Sequence, residues 1–273
     1  MQAGFGVGRL HHVFSRQDRE NIIRAEMDAG FRHFDLAPAY GDGFNERELG
    51  RILGARRSEV QVATKFGIPF RAIGELPNPI YLALRIAGKA LRTSFGAQYH
   101  KRDFSPTVLV TSLEDSLRRL RTDYVDLLLI HEPQTFAEFQ TLNDTWPELE
   151  RQVKLGKLRK FGISSHAQLL LDAEQAGLVA DAAVRMVPMC DTTCSLPASW
   201  FSSREVCVFN VVKHLSKTLG PGRIETRKLL EGFVKALPTC KPILSTHDLA
   251  EMKRMGEAFA HIPDSTTKNE ADT

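Results

Sequence analysis

The chain has 273 residues, 42% of them hydrophobic and 25% charged, with a formal net charge of +3. One domain with a sizeable core fits that composition, and because Lys and Arg are interspersed with Asp and Glu, no basic patch for nucleic acid is indicated. The four cysteines, Cys190, Cys194, Cys207 and Cys240, do not make a disulfide framework. The N-terminal residues lack the basic start and apolar stretch of a signal peptide. No run of about 18 uncharged apolar residues occurs, so no membrane span is expected. The expected location is the cytoplasm, where free thiols are tolerated.

Short apolar runs alternate with amphipathic stretches along the chain. The runs are FGVG near residue 5, RHFDLA near 33, VQVATK near 62, VDLLLIH near 128, RKFGIS near 161, VRMVP near 186, VCVFNV near 208 and PILS near 243. Such runs read as parallel strands buried on both faces. After the first, Ser15 and Asp18 form a capping-box pattern for a helix carrying Ile22, Ile23 and Met27 that stops at Gly30. NERELGRILG puts Leu49, Ile52 and Leu53 on one side of a second helix. Residues 66–104 break the rhythm as a long connection with a predicted helix in YLALRIAGKALRTSF. This segment is either an excursion packed on the rim or part of a substrate lid. Ser105 and Pro106 then read as an N-cap and first helical residue, with Leu109, Leu113, Leu117 and Leu120 at helical spacing. Later helices are expected in QLLLDAEQAG, ETRKLLEGFVKAL and DLAEMKRMGEAF. Residues 1–261 are thus expected to form a single (β/α)8 TIM barrel, an α/β fold, and 262–273 a disordered polar tail. A doubly wound open sheet is the rival. Its G-x-G-x-x-G fingerprint is missing, because Gly4, Gly6 and Gly8 have the wrong spacing.

Four chemically active side chains fall at successive strand ends. Asp35 ends the second strand, Tyr40 follows in the loop APAYGDG, Lys65 ends the third strand and His131 ends the fourth. Carboxyl ends of barrel strands converge on one rim. Carbonyl reduction needs a hydride donor and a proton for the oxygen. An ammonium at Lys65 would lower the pKa of the Tyr40 phenol, Asp35 would hold Lys65 in place and charged, and His131 would orient the oxygen or relay the proton. Taken singly, Asp35 could cap a turn, Tyr40 could anchor a loop, Lys65 could be a solvated strand-end charge, and His131 could be a core histidine.

The segments GFRHFDLAPAYGDGFNERELGRIL, VATKFG, DYVDLLLIHEP and GKLRKFGISS resemble, in order, the signatures of the aldo-keto reductase superfamily. The flavour is that of the bacterial branch with aldose dehydrogenases and channel β-subunits. The resemblance covers about the first 165 residues. It implies an NADP(H)-dependent, or alternatively NAD(H)-dependent, oxidoreductase of small aldehydes, ketones or sugars, with Asp35, Tyr40, Lys65 and His131 as the catalytic tetrad. It also implies a carboxamide site after the fifth strand, where Ser164 and Ser165 stand in place of the usual Ser-Asn. Asp191 is the nearest polar residue to the usual Gln of the sixth strand. Ser245 and Thr246 open a phosphate-binding helix after the eighth strand. The usual Asn there is Met252, and Lys241, Lys253 and Arg254 are the candidate charges. The family's N-terminal hairpin and long C-terminal substrate loop are lacking, which implies a smaller or more open pocket.

Two further readings compete: a degenerate barrel that binds nucleotide or a protein partner without turnover, and an isomerase or lyase using Lys65 covalently. Cys190 and Cys194 lack a matching pair at zinc spacing, so no metal is expected. His11 and His12 could line the pocket but read better as loop histidines, and Trp200 and Phe201 could cover the nicotinamide or be buried as apolar surface.

Overall fold

A computed structural model describes residues 3–90, 101–180, 183–190, 193, 195–202, 205–218 and 226–245. In chain order the elements are β1 Gly4–Gly6, α1 Arg16–Asp28, β2 His33–Asp35, α2 Phe44–Leu53, β3 Gln61–Phe66, α3 Asn78–Ala90, α4 Pro106–Leu120 and β4 Val125–His131. There follow α5 Phe136–Gln140, α6 Thr145–Lys154, β5 Leu158–Ser164, α7 Ala167–Gln175, β6 Val184–Pro188, α8 Ala198–Ser202, β7 Val206–Phe209, α9 Val211–Thr218, α10 Thr226–Ala236 and β8 Lys241–Leu244. Every strand pairs in parallel with the next, and β8 pairs back with β1, closing a (β/α)8 barrel. The open-sheet rival is thereby excluded. Each of the eight strands coincides with one of the apolar runs seen in the sequence and extends at most one residue beyond it.

Local chemistry explains the helix starts. The Ser15 hydroxyl accepts from the Asp18 amide at 3.2 Å, which is one half of the capping pattern. Ser105 caps α4 in the same way, with Pro106 in its first turn. Leu109, Leu113, Leu117 and Leu120 are all buried, forming the apolar stripe that a core-facing helix needs. The sequence reading missed α5 and α6. The signal for α5 is the pair Thr135 and Glu138, which forms a complete capping box.

Strand alternation divides the apolar residues into two cores. The larger lies between strands and helices. The smaller, inside the barrel, contains Ala63, Leu127, Leu129, Val184, Met186, Cys207 and Ile243. At the amino end of the strands a polar layer follows. Lys160 Nζ donates to Glu205 Oε2 at 2.5 Å, and Gln61 Oε1 lies 3.5 Å from both Lys241 Nζ and His33 Nδ1. Burial pushes the His33 imidazole down to about 3, so the buried ring is neutral. Cys190, Cys207 and Cys240 are free thiols, and burial raises Cys207 to about 12, which keeps it protonated. No helix among the described residues is long and apolar enough to cross a membrane.

One buried group opposes the fold. Glu26 on α1 is 1% exposed, and its Oε2 has no hydrogen-bond partner among the described residues. Burial pushes this carboxyl up from 4.5 to about 8. A carboxyl with a raised folded-state value favours folding in its protonated form. Its contribution is intact below the unfolded value and is lost as pH rises through the folded one. Glu26→Gln is therefore expected to leave stability nearly unchanged at about pH 4 and to raise it by roughly 1–3 kcal/mol above about pH 8. Urea unfolding across that range tests this, and an equal gain at both ends would contradict it.

Candidate active site

A cavity of about 280 Å³ opens at the carboxyl ends of the strands. Its walls include Asp35, Tyr40, Lys65, Glu132, Ser164, Asn210 and Ser245, and its apolar part is Met186, Phe209 and Ile243. The barrel delivers these groups by register. Asp35 pairs with Ala63, Lys65 with Leu129 and His131 with Ser164. Strands in a closed barrel are tilted, so residues at similar height are staggered in register.

At the centre is an ion pair. Lys65 Nζ donates to Asp35 Oδ1 at 2.7 Å, to Asp35 Oδ2 at 2.8 Å and to the Leu36 carbonyl at 2.9 Å. Lys65 is 2% and Asp35 7% exposed. Burial works against the Lys65 ammonium, but Asp35 outweighs it and the pKa lies above the ordinary lysine value. Asp35 is pushed up by burial and pulled back by Lys65. An ammonium with three acceptors and a raised pKa is a poor nucleophile, which argues against covalent chemistry at Lys65.

Tyr40 stands over this pair. Its ring centre is 5.1 Å from Lys65 Nζ, and its hydroxyl is 3.4 Å from His131 Nε2. The two rings meet edge to face at 5.6 Å. The ring also lies against Gly8, where a Cβ would be 3.2 Å from Tyr40 Cδ2. His131 is held well below the ordinary histidine value by burial, then by Lys65 and Arg102, so it is a neutral imidazole. The phenol departs from the sequence expectation. Burial raises its pKa; Lys65 pulls it down, but Asp35 and Glu132 push the same way as burial, and the net direction is up. The physical reason is first that burial disfavours the phenolate, and second that Asp35 offsets part of the field that Lys65 would exert alone.

The other expected site residues divide. Ser164 and Ser245 both line the cavity. Ser165 is turned away, its hydroxyl donating to the Pro133 carbonyl at 2.8 Å. Lys241 begins β8 at the opposite end of the barrel, against Gln61 and Glu205, so it cannot serve a phosphate at this rim. Asp191, Thr246, Met252, Lys253 and Arg254, together with Cys194, residues 91–100 and the tail 262–273, lie outside the described residues. His11 packs behind Gly41, its ring tilted by 39° against that of His12 at 4.2 Å, rather than lining the cavity. Trp200 and Phe201 are buried, with the indole N–H donating to Glu174 Oε2 at 2.7 Å.

Besides Arg9, the sequence reading missed two polar wall residues, Glu132 and Asn210. Each follows a strand end and has a left-handed backbone, with φ of 56° and 60°. Left-handed non-glycine residues cluster at functional sites. Glu132 is held by its amide to the Ser164 carbonyl at 2.8 Å, and Arg102 Nη2 lies 4.0 Å from its carboxylate. No group of three or more metal-ligating side chains occurs among the described residues.

The carboxyl rim of this (β/α)8 barrel thus carries a buried Lys–Asp pair, a phenol and a neutral imidazole beside a small, partly apolar cavity. The chain belongs to the aldo/keto reductase family, whose model matches residues 3–187. It is 32% identical over 169 residues to a D-threo-aldose 1-dehydrogenase of Pseudomonas sp, covering 59% of this chain and 49% of that one. It is 30% identical over 167 residues to an L-galactose dehydrogenase of Arabidopsis thaliana, covering 59% and 43%. The matched stretch thus spans about half or less of these relatives' length. In fold it resembles the holo form of a Bacillus halodurans aldo-keto reductase, with TM-score 0.72, 20% identity, and 96% and 87% of the two chains covered. A Klebsiella pneumoniae aldo-keto reductase in complex with NADPH matches with TM-score 0.65, 20% identity, and 97% and 87% covered.

The Lys65–Asp35 pair sets a stability test. Removing one partner strands a buried charge, so Asp35→Asn and Lys65→Met are each expected to cost about 3–5 kcal/mol. The double variant is expected to cost clearly less than their sum. Denaturant unfolding of the four proteins measures this, and strict additivity would contradict the pairing.

Proposed function

We propose that the cavity binds a reduced nicotinamide dinucleotide, NADP(H) in preference to NAD(H), and that the protein reduces a small aldehyde, ketone or sugar, with Tyr40 donating the proton. The observation that carries this reading is the Tyr40 hydroxyl held 3.4 Å from a neutral His131 and beside a clamped Lys65 ammonium. Action on a diffusible carbonyl in the cytoplasm, without a nucleic-acid or membrane partner, belongs to the same reading.

The wall residues suit the cofactor. The Ser164 hydroxyl makes no hydrogen bond among the described residues and is free for a carboxamide, Asn210 offers a second polar group, and Met186, Phe209 and Ile243 form an apolar bed for a flat ring. When bound, the nicotinamide supplies hydride to the carbonyl carbon. Tyr40 gives its phenolic proton to the carbonyl oxygen. His131 Nε2, uncharged, hydrogen-bonds the same oxygen and fixes its direction. A phenol whose pKa is raised stays protonated at neutral pH and so remains a competent donor. Lys65 matters after the transfer, because its ammonium stabilises the phenolate left behind. Asp35 keeps that ammonium charged and aimed. The Ser165 hydroxyl is spent on Pro133, so one serine rather than a pair would hold the carboxamide. That feature favours a second reading, a barrel that binds nucleotide without turnover.

Tyr40→Phe is expected to keep the fold and NADPH affinity while lowering carbonyl reduction by about 10²-fold or more. Fluorescence titration with NADPH and NADH, followed by a carbonyl panel, separates the readings. Binding without turnover in the unaltered protein supports the degenerate barrel, and undiminished turnover in the variant removes Tyr40 as the acid.

Glu132 places a carboxylate in the cavity wall, 43% exposed. Coulomb repulsion at such a half-screened site is worth about 1 kcal/mol. Glu132→Gln is expected to raise kcat/KM for carbonyls bearing a carboxylate by roughly three- to tenfold relative to neutral ones. Equal changes for both would contradict a charge effect.

A further inference from the structure

The loop carrying Tyr40 continues into a left-handed stretch. Gly41, Asp42 and Gly43 are all left-handed, with φ of 71°, 54° and 88°. The two glycines adopt this freely, whereas Asp42 carries a side chain there and persists only where its surroundings over-determine it. From within the site, the loop is tied by Asn45 Nδ2, which donates to the Val7 and Gly8 carbonyls at 3.0 and 2.9 Å. The remaining grip comes from the long connection after β3. The Gly74 amide donates to the Asp42 carbonyl at 2.9 Å. The approach is so close that a Cβ at position 74 would lie 2.3 Å from the Phe44 nitrogen and 2.5 Å from the Asp42 oxygen. Only glycine lets this turn sit there. Tyr81, on α3, is fully buried. Its ring stacks on Phe44 at 4.4 Å and 14°, and its hydroxyl donates to the Gly41 carbonyl at 3.1 Å while accepting from Arg85 at 3.0 Å. The connection is itself anchored. Arg118 and Arg119 of α4 both pair with Glu75, at 2.9 and 3.0 Å, and Arg47 reaches the Leu76 carbonyl and Asn78.

We infer that residues 73–85 form a clasp that grips the carbonyls of Gly41 and Asp42 and thereby fixes the Tyr40 hydroxyl against His131, with Gly74 and Tyr81 as positioning residues for the proton transfer. The inference rests on the reading of Tyr40 as the acid. Neither residue touches the cavity wall; they act through the loop. A misplacement of about 1 Å in a reacting group costs on the order of 10²-fold in rate, so a clasp distant from the chemistry governs kcat.

The test uses Tyr81→Phe, Tyr81→Leu and Gly74→Ala in the full chain. The chain has four tyrosines, so tyrosine labelled with ¹³C at Cζ gives a simple NMR spectrum in which Tyr40→Phe assigns the Tyr40 resonance. Tyr81→Leu and Gly74→Ala are expected to shift or broaden that resonance. Both should leave the NADPH Kd within about twofold and KM within about threefold while lowering kcat by roughly 10- to 100-fold. Tyr81→Phe, which keeps the stack, is expected to recover part of the loss. An unmoved Tyr40 resonance with unchanged kcat in folded Tyr81→Leu would overturn the clasp. If Gly74→Ala does not fold, the two Tyr81 variants decide. If the unaltered protein reduces no carbonyl, the reading of Tyr40 as the acid fails, and the clasp is then overturned or upheld by the resonance alone.

Discussion

Lys65 carries an ammonium with almost no access to water, and Asp35 is the reason it can stay charged. The pair is bidentate, buried and completed by the Leu36 carbonyl. A buried ion pair of this kind is weak evidence for stability, because desolvation takes back much of the Coulomb gain. Its value lies in what it fixes. A positive charge is held at one point beneath Tyr40, where a phenolate formed by proton loss would otherwise be unsolvated. The same charge, with Arg102, keeps His131 neutral. Tyr40 in the cavity wall and the buried His131 beside it therefore have defined protonation states, a phenol that keeps its proton and an imidazole without charge.

The barrel and its connections divide the labour. Strand ends hold Asp35, Lys65 and His131 on rigid backbone, while Tyr40 sits on a loop that needs outside support. That support comes from the turn after β1, where the ring lies on Gly8, and from the connection after β3, where Gly74 and Tyr81 grip the following residues. Of the two readings of residues 66–104, the described part packs on the rim as a buttress of the site. Glu132 and Asn210 complete the mouth from left-handed positions after β4 and β7, adding polar groups where the strands themselves end.

Much of this was legible in the sequence because it rests on local rules. Eight apolar runs gave eight strands, since parallel strands buried on both faces must be apolar throughout. Asp35, Lys65 and His131 stood at strand ends, and barrel geometry alone required them to converge. What escaped depended on tertiary detail. Glu132 and Asn210 enter the wall because of backbone conformation, which residue type does not announce for Glu. Ser165 looked equivalent to Ser164, yet strand alternation turns its hydroxyl to Pro133. Lys241 sits only four residues before Ser245 but at the other end of β8, so proximity in sequence misled. The phenol's raised pKa also needed coordinates, because the outcome depends on burial and on two carboxylates competing with one ammonium.

The central claim is that Tyr40, Lys65, Asp35 and His131 together deliver a proton to a carbonyl oxygen while the bound dinucleotide reduces its carbon. The most direct measurement follows deuterium from NADPH labelled at nicotinamide C4 into the product alcohol of a small aldehyde or sugar, in the unaltered protein and in Tyr40→Phe. Label is expected at the former carbonyl carbon with the first and almost none with the second. Saturating NADPH binding with no label in any product, or equal labelling by both proteins, would contradict it.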